Sequence, residues 1–176
     1  SAEGSDEIEE VMYEGYGPYG VAVLINVLTD NRNRSLSDIK RVLTRADGNM
    51  AEPNAVAWQF DQKGYITVPC AGCDYDEVFL VAADAGAEDV IQGEEFIEIY
   101  TPRSKLGAVQ RALVEAGFSV EEGRLDWLPR MELQLEPDKA LKVMSMIERL
   151  EELDDVDQVY SNLNITDELI QSFEAA

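Results

Sequence analysis

The sequence contains no histidine. This excludes a Ser-His-Asp triad, a Cys-His nucleophilic pair and any histidine-ligated metal centre. The lysine motif of phosphate-binding loops, the G-x-S-x-G nucleophile turn and the H-E-x-x-H zinc motif are also absent. Catalysis would have to depend on carboxylates, and these show no catalytic spacing. We therefore expect a protein that is not an enzyme and that holds no metal or cofactor.

Positively charged residues are scarce. The 176 residues include 14 Lys and Arg against 36 Asp and Glu, which gives a formal net charge of −22. Nonspecific affinity for nucleic acid comes mainly from Lys and Arg, so binding over the whole surface is excluded. No apolar run approaches the roughly 18–20 residues of a membrane span, and no signal-peptide pattern opens the chain. With 45% apolar residues the chain can bury a core, so we expect a soluble, globular protein that contacts no membrane.

The few cations are unevenly distributed. Five of the 14 lie within residues 32–45 beside a single acid, Asp38; they are Arg32, Arg34, Lys40, Arg41 and Arg45. This run is either a solvated helix face or a small patch that contacts RNA or DNA phosphates. By contrast, residues 64–102 and 150–176 contain no Lys or Arg. These acidic segments would face protein partners or prevent nonspecific binding to nucleic acid.

Apolar periodicity predicts an α+β fold of two α/β-sandwich domains. Residues 65–128 show the order strand-helix-strand-strand-helix-strand, which is typical of a ferredoxin-like domain. Residues 7–64 and 129–165 each hold too few elements to fold alone, and together they would form a second sheet with helices. The ferredoxin-like domain is therefore predicted as an insertion into a discontinuous domain, since insertion is tolerated where the chain ends lie close together. Residues 1–6 and 166–176 are predicted to be tails.

The first helix and its preceding strand have clear local signals. The β-branched run at residues 21–28 predicts a buried strand. Ser35 or Ser37 can cap the next helix, whose apolar residues recur at helical spacing until Gly48.

Further along the chain the local signals are shorter. Alternating apolar residues predict strands at 56–60 and 131–135. Residues 63–64 have the composition of a turn. Residues 101–102 are interpreted as a helix N-terminus, with proline at the first helical position.

Gly15-Tyr16-Gly17-Pro18-Tyr19-Gly20 matches the G-x-G-x-x-G spacing of dinucleotide-binding loops. In those proteins the motif opens a helix, whereas here a strand follows it and Pro18 removes an amide donor. We therefore interpret the segment as a turn whose glycines permit positive φ. Tyr16 and Tyr19 are aromatic residues in this turn, and they could stack on a base or contact a protein.

Two other motifs have alternative interpretations. Cys70 and Cys73 form a C-x-x-C between a predicted strand and a predicted helix, where a helix N-terminus would lower the pKa of a redox-active thiol. Two small residues in a loop are the simpler interpretation. Asp154-Asp155-Val156-Asp157 lacks the glycine turn and the distal Glu of a calcium loop, and it is interpreted as a solvated acidic turn.

Several longer segments resemble the YebC/PmpR family, which includes the mitochondrial translational activator of cytochrome c oxidase. The similarity extends over about residues 7–165 and has the expected order of motifs. The motifs are Glu14-Gly15-Tyr16-Gly17-Pro18 with Gly20-Val21-Ala22, the segment 28–34, Gly48-Asn49, the segment 56–60, the segment 82–89, the segment 153–156 and Val159-Tyr160-Ser161-Asn162.

This resemblance implies three domains, of which the third is ferredoxin-like and inserted in the second. It also implies a basic, helical amino-terminal domain, which is expected to be absent here. Family members are known as transcriptional regulators that bind DNA, and others act on translation at the ribosome; nothing in the family implies catalysis. The sequence departs from the family pattern at Tyr19, where glycine is usual, and at Ala55, where serine is usual.

The resemblance therefore predicts a cytoplasmic YebC-type regulator of gene expression, in the first place a DNA-binding transcriptional regulator. Its nucleic-acid contacts would be shared between the basic amino-terminal domain and residues of the cationic run, namely Asn31, Arg32, Asn33, Arg34, Lys40, Arg41 and Arg45. Tyr16 and Tyr19 are further candidate contacts. One alternative is a ribosome-associated translation factor that binds ribosomal RNA through the same residues. The other is a thiol oxidoreductase centred on Cys70 and Cys73.

Overall fold

A computed structural model describes residues 7–176, and the predicted tail 1–6 lies outside the described residues. The strands of the described chain are β1 (Glu9–Tyr16), β2 (Ala22–Thr29), β3 (Asn49–Met50), β4 (Phe60–Pro69), β5 (Asp89–Gln92), β6 (Phe96–Pro102), β7 (Glu122–Pro129) and β8 (Val156–Ser161). Its α-helices are α1 (Arg32–Arg45), α2 (Tyr75–Ala85), α3 (Leu106–Glu115), α4 (Pro137–Glu151) and α5 (Asp167–Ala175). The fold is α+β, as the sequence predicts.

The first of two compact units is formed by the described chain up to Phe60 together with Pro129–Ala176. Its antiparallel sheet has the order β3-β1-β2-β8. The central strand β2 carries the β-branched run and is almost entirely buried. Helices α1 and α4 pack on this sheet through residues at helical spacing, which include Ile39, Leu43, Val143 and Met146.

The second compact unit is Asp61–Leu128. Its sheet has the order β5-β6-β4-β7, with α2 after the first strand and α3 after the third. This is the ferredoxin-like arrangement that the sequence predicts. Asp74 caps α2 by accepting a hydrogen bond from the amide of Asp76, and Gly86 ends it with a φ of +118°. The core lies between the sheet and the helices and includes Ile66, Val68, Ile97, Ile99, Val78, Val109 and Leu113.

Two predictions around β4 are wrong. Residues Ala57–Gln59 form a 3-10 turn instead of a strand, so Val56 is buried while Trp58 is 64% exposed. Strand β4 runs without a turn through residues 63–64. A Cβ atom on Gly64 would collide with Thr101 Oγ1, so this glycine serves close packing and not chain reversal.

The predictions for residues 131–135 and 101–102 are also wrong. The first segment makes a single parallel bridge, between Leu133 and Leu163, so its alternation reflects an extended segment at the edge of the sheet. Thr101 and Pro102 belong to β6, and Thr101 is fully buried. A 3-10 turn follows them, and α3 begins only at Leu106.

The predicted tail 166–176 contains helix α5. Thr166 caps it, because its hydroxyl accepts a hydrogen bond from the amide of Leu169 at 3.2 Å. Leu169 and Phe173 pack against the core of the first unit. Two apolar residues four positions apart therefore hold a segment that is otherwise polar.

Candidate nucleic-acid interface

Helix α1, which carries the predicted cationic patch, begins at Arg32 and not at the predicted serines. The side chain of Asn31 caps it by accepting a hydrogen bond from the amide of Arg34 at 3.1 Å. Asparagine is among the best residues at this position. Ser35 lies one turn inside the helix and is buried, where its hydroxyl serves a different contact. Asn31 is therefore a structural residue, while Asn33 is exposed in the first turn.

The hydroxyl of Ser35 contacts Asp155, which lies just before β8 and links the start of that strand to α1. Its carboxylate accepts hydrogen bonds from Arg34 Nε at 3.1 Å and Arg34 Nη2 at 2.9 Å. Ser35 Oγ donates to the same carboxylate at 2.7 Å. The hydrogen bonds from Arg34 and then from Ser35 hold the pKa of Asp155 below its usual value. Only 16% of this side chain is exposed, so the interpretation of Asp155 as part of a solvated acidic turn is wrong.

Three of the five predicted cations form ion pairs. Arg32 pairs with Glu9 at 3.0 Å and Arg34 with Asp30 at 2.8 Å, in addition to Asp155. Arg41 pairs with Asp38 at 3.3 Å, with more than half of the arginine side chain exposed. Lys40 and Arg45 are exposed and form no ion pair within residues 7–176. The structure thus divides the patch into a paired N-terminal end and a more open C-terminal end.

Helical spacing aligns part of this patch along one strip. Arg34, Asp38, Arg41 and Arg45 follow one another at intervals of 4, 3 and 4 residues and share one side of α1. Lys40 lies on a different side, because each residue turns the helix by about 100°. The strip therefore contains three cations and one acid.

A matching strip runs along α4. Asp138, Lys142, Ser145 and Arg149 have the same intervals and share the solvent-exposed side of that helix that does not enter the core. The sequence prediction missed Lys142 and Arg149, since they lie about a hundred residues from the patch along the chain. The intervals of 4, 3 and 4 residues, repeated at 138–149, were the signal in the sequence that could have identified them.

The helices that carry the two strips are neighbours. Lys142 Nζ lies 3.0 Å from Asp47 Oδ2, just beyond the C-terminal end of α1. At the other end, Arg34 and Asp38 line a surface pocket with residues 152–155, which follow α4. The helices are therefore antiparallel neighbours, and both strips border the groove between them. We call this surface the α1–α4 groove; its cations are Arg34, Arg41, Arg45, Lys142 and Arg149.

The predicted glycine-tyrosine turn lies beside one end of this groove. Gly17 N donates a hydrogen bond to Val21 O at 2.8 Å, and Gly20 has a φ of +78°, so the interpretation as a turn is confirmed. Tyr19 also has a positive φ, of 64°, and is 45% exposed. Its ring centroid lies 5.3 Å from Lys139 Nζ and 5.7 Å from Lys142 Nζ.

Tyr16 is separated from Tyr19 by the structure. It belongs to β1, where it pairs with Ala22 on one side and with Asn49 on the other. Its side chain is half-buried. The prediction that both tyrosines lie in the turn is therefore wrong for Tyr16, because the turn is tighter than the motif suggests and begins after β1 ends.

Glu14 is a buried carboxylate that the sequence prediction did not single out. Its side chain is almost inaccessible and accepts hydrogen bonds from the amides of Asn54 at 2.7 Å, Val56 at 2.9 Å and Ala57 at 2.7 Å. These bonds fold the following segment into the 3-10 turn that carries the exposed Trp58. The indole Nε1 donates to Ala55 O at 3.0 Å, which fixes the ring on this turn.

The two cysteines are free thiols at the start of α2. Cys73 Sγ donates to Pro69 O at 3.1 Å and Cys70 Sγ to Gly93 O at 3.4 Å. Burial raises the pKa of the Cys73 thiol, and Cys70 and Asp74 raise it further. A nucleophilic C-x-x-C requires the opposite shift. The expected lowering of this pKa by the helix N-terminus is therefore wrong for Cys73.

Residues 7–176 contain no cluster of three or more acidic or thiol side chains with the geometry of a metal centre. None of their helices has the length and apolar character needed to span a bilayer.

Comparison with known proteins identifies the family. Residues 8–163 match the family model described as the second and third domain of TACO1/YebC. A "probable transcriptional regulatory protein" of Chloroflexus aggregans is 46% identical over 172 residues, which cover 96% of this chain and 68% of the relative. A protein of the same name from Streptomyces avermitilis is 41% identical over 172 residues, which cover 98% of this chain and 69% of the relative.

A solved structure supports the same assignment. The crystal structure of a conserved hypothetical protein from Aquifex aeolicus has a TM-score of 0.85 and 41% sequence identity, and the match covers 92% of this chain and 67% of that one. This chain thus spans about two thirds of the length of the proteins it matches. Sequence, fold order and structural similarity agree, and the chain belongs to the TACO1/YebC family.

Proposed function

We propose that this chain is part of a DNA-binding transcriptional regulator, a non-catalytic protein of the cytoplasm, and that its α1–α4 groove supplies a share of the contacts to DNA phosphates. The observation that carries the proposal is that the strips on the neighbouring helices α1 and α4 bring five cations together on a chain of net charge −22. The names of the relatives as transcriptional regulatory proteins support the choice of DNA.

The cations of the groove differ in how readily they can meet a phosphate. Arg34 is held by Asp30 and Asp155 through three hydrogen bonds, so it is assigned to the structure of the groove. Arg45 has no acidic partner within the described chain, and Arg41 has a single half-buried one, Asp38. Arg41 and Arg45 are four residues apart, which is a rise of about 6 Å along the helix axis, so they can reach different phosphates.

The acidic remainder of the surface limits how DNA can approach. Any orientation that presents residues 64–102 or 156–176 to the duplex places carboxylates against phosphates, because these segments contain no Lys or Arg. Residues 152–155 are also acidic and line the Arg34 end of the groove, so the phosphates are expected nearer Arg41 and Arg45. Repulsion at the acidic segments and attraction at the groove favour one docking orientation. The same acidic segments are proposed to contact protein partners.

The test measures binding of the 176-residue chain to a fluorescent duplex of about 20 base pairs over a salt series. The variant Arg41→Glu/Arg45→Glu is expected to lower affinity by about tenfold or more and to reduce the slope of log K against log salt by about 2, since each phosphate contact contributes about 0.9. The matched control is Arg103→Glu/Arg111→Glu, which makes the same charge change at exposed residues of the second unit.

Three results would contradict the proposal. If the groove variant and the control lose the same affinity for the duplex, binding depends only on the net charge of the chain. Failure of the unmodified chain to bind the duplex at low salt would remove DNA as the ligand. Cosedimentation with ribosomes that persists with excess duplex, and that the groove variant abolishes, would replace transcription by the alternative role in translation.

A further inference from the structure

Tyr19 occupies a backbone conformation that is costly for a residue with a side chain. Its φ of 64° lies in the left-handed region, which costs about 1–2 kcal/mol for a residue other than glycine. The side chain gains little burial in return, because 45% of it remains exposed. Backbone strain of this kind is concentrated at functional positions, so the exposed ring of Tyr19 is a candidate ligand contact.

Two lysines from the first turns of α4 lie against this ring. The distances from Lys139 Nζ and Lys142 Nζ to the ring centroid, 5.3 and 5.7 Å, are within the range of cation–π attraction. Asp47 holds Lys142 in place at 3.0 Å, and Lys139 forms no ion pair within residues 7–176. The arrangement therefore combines an accessible aromatic surface with two ammonium groups, one of them without an acidic partner.

We propose that Tyr19, Lys139 and Lys142 form a binding site for an unpaired nucleotide, in which the tyrosine ring stacks on the base and the lysines bind the adjoining phosphates. The inference rests on the proposed function, because both require that the chain binds nucleic acid. It differs in the ligand, which is an unpaired nucleotide and not a duplex. Every base has a flat aromatic face, so this site would not select a sequence.

The position of the site favours a nucleic acid over a protein. Lys142 belongs both to this cluster and to the α1–α4 groove, so a strand whose phosphates follow the groove reaches the tyrosine at its end. Binding sites for single strands characteristically combine a cationic path with aromatic side chains that stack on bases. Both parts are present here in the order that such a path requires.

The experiment measures binding of the full chain to fluorescent oligo(dT) and oligo(U) of about 12 nucleotides, over a salt series. Tyr19→Leu removes the stacking surface at the same backbone strain and should lower affinity by about 5- to 100-fold without changing the salt slope. Tyr19→Phe keeps the aromatic face and should bind within about twofold of the unmodified chain. Lys139→Gln should reduce the salt slope by about 0.7.

The oligo(dT) and oligo(U) probes distinguish a DNA strand from an RNA strand as the source of the nucleotide. If Tyr19→Leu lowers the affinity for either probe, the site is supported. If it lowers the affinity for neither probe, the site is overturned. Arg103→Gln, at an exposed position in the second unit, controls for net charge, and an effect equal to that of Lys139→Gln would also overturn the site. If Tyr19→Leu has no effect while Arg41→Glu/Arg45→Glu still abolishes duplex binding, only the nucleotide site fails. If the unmodified chain binds neither duplex nor single strand, both proposals fail.

Discussion

The buried carboxylate of Glu14 permits a sharp test of how this fold is held together. Its two oxygens accept three backbone amide hydrogen bonds, two at Oε1 and one at Oε2, from the segment that ends in the Trp58 turn. The change Glu14→Gln keeps the shape and the Oε1 acceptor. It replaces Oε2 by an NH₂ group that faces the amide of Asn54, so two donors meet.

The expected loss follows from these contacts. A hydrogen bond to a charged group contributes about 1.5–3 kcal/mol, and an unsatisfied buried donor costs a similar amount. Removing the buried charge recovers part of this, because the carboxylate no longer has to be desolvated. We expect Glu14→Gln to lower the free energy of unfolding by about 2 kcal/mol, and Glu14→Ala, which removes all three bonds, by about 4 kcal/mol.

Urea unfolding in a Trp127→Phe background measures this, since Trp58 then reports on the first unit alone. The matched control is Glu52→Gln, which removes the same charge from an exposed side chain of the same segment and should be neutral within about 0.5 kcal/mol. If Glu14→Gln unfolds at the same urea concentration as its control, the three amide bonds do not hold the turn, and the assignment is refuted.

Three further predictions concern the surroundings of the groove. Asp155→Asn should lower the free energy of unfolding by about 1–3 kcal/mol at neutral pH. Because the pKa of Asp155 is lowered in the folded protein, the difference between the variant and the unmodified chain should shrink as pH falls through that pKa. Urea unfolding at successive pH values measures this difference. Tyr19→Gly should be about 1 kcal/mol more stable than Tyr19→Ala in thermal melts, because only glycine avoids the left-handed penalty. Gly48→Ala should cost about 2 kcal/mol or more, since its Cβ would collide with the carbonyl oxygen of Tyr16, and calorimetry measures the loss.

Elements with local signals were predictable from the sequence. The β-branched run of β2 and the helical spacing of the apolar residues of α1 each depend on residues that lie close together in the chain. Their prediction needed only strand or helical periodicity. The same signals, repeated in the order of a ferredoxin-like domain, predicted the second sheet and its helices.

Features that depend on distant residues could not be predicted in this way. The alternation of residues 56–60 is typical of a strand, but Glu14, about forty residues earlier, accepts hydrogen bonds from the amides of Val56 and Ala57, and the chain bends into a turn. Residues 131–135 alternate as cleanly, yet only Leu133 finds a bridging partner. In each case the periodicity is real, and a contact between distant segments decides the backbone conformation.

The candidate interface shows the same principle for charge. At the start of α1 the helix dipole and two arginines, Arg32 and Arg34, concentrate positive charge, and Glu9, Asp30 and Asp155 offset it. These arginines therefore have acidic partners within the fold, although the sequence places them in the candidate binding patch. Helix α4 adds Lys142 and Arg149 to the α1–α4 groove, and these two cations could not be predicted from residues 32–45 alone. A cationic run in an acidic chain is thus a poor guide to a binding surface until the carboxylates that face it are known.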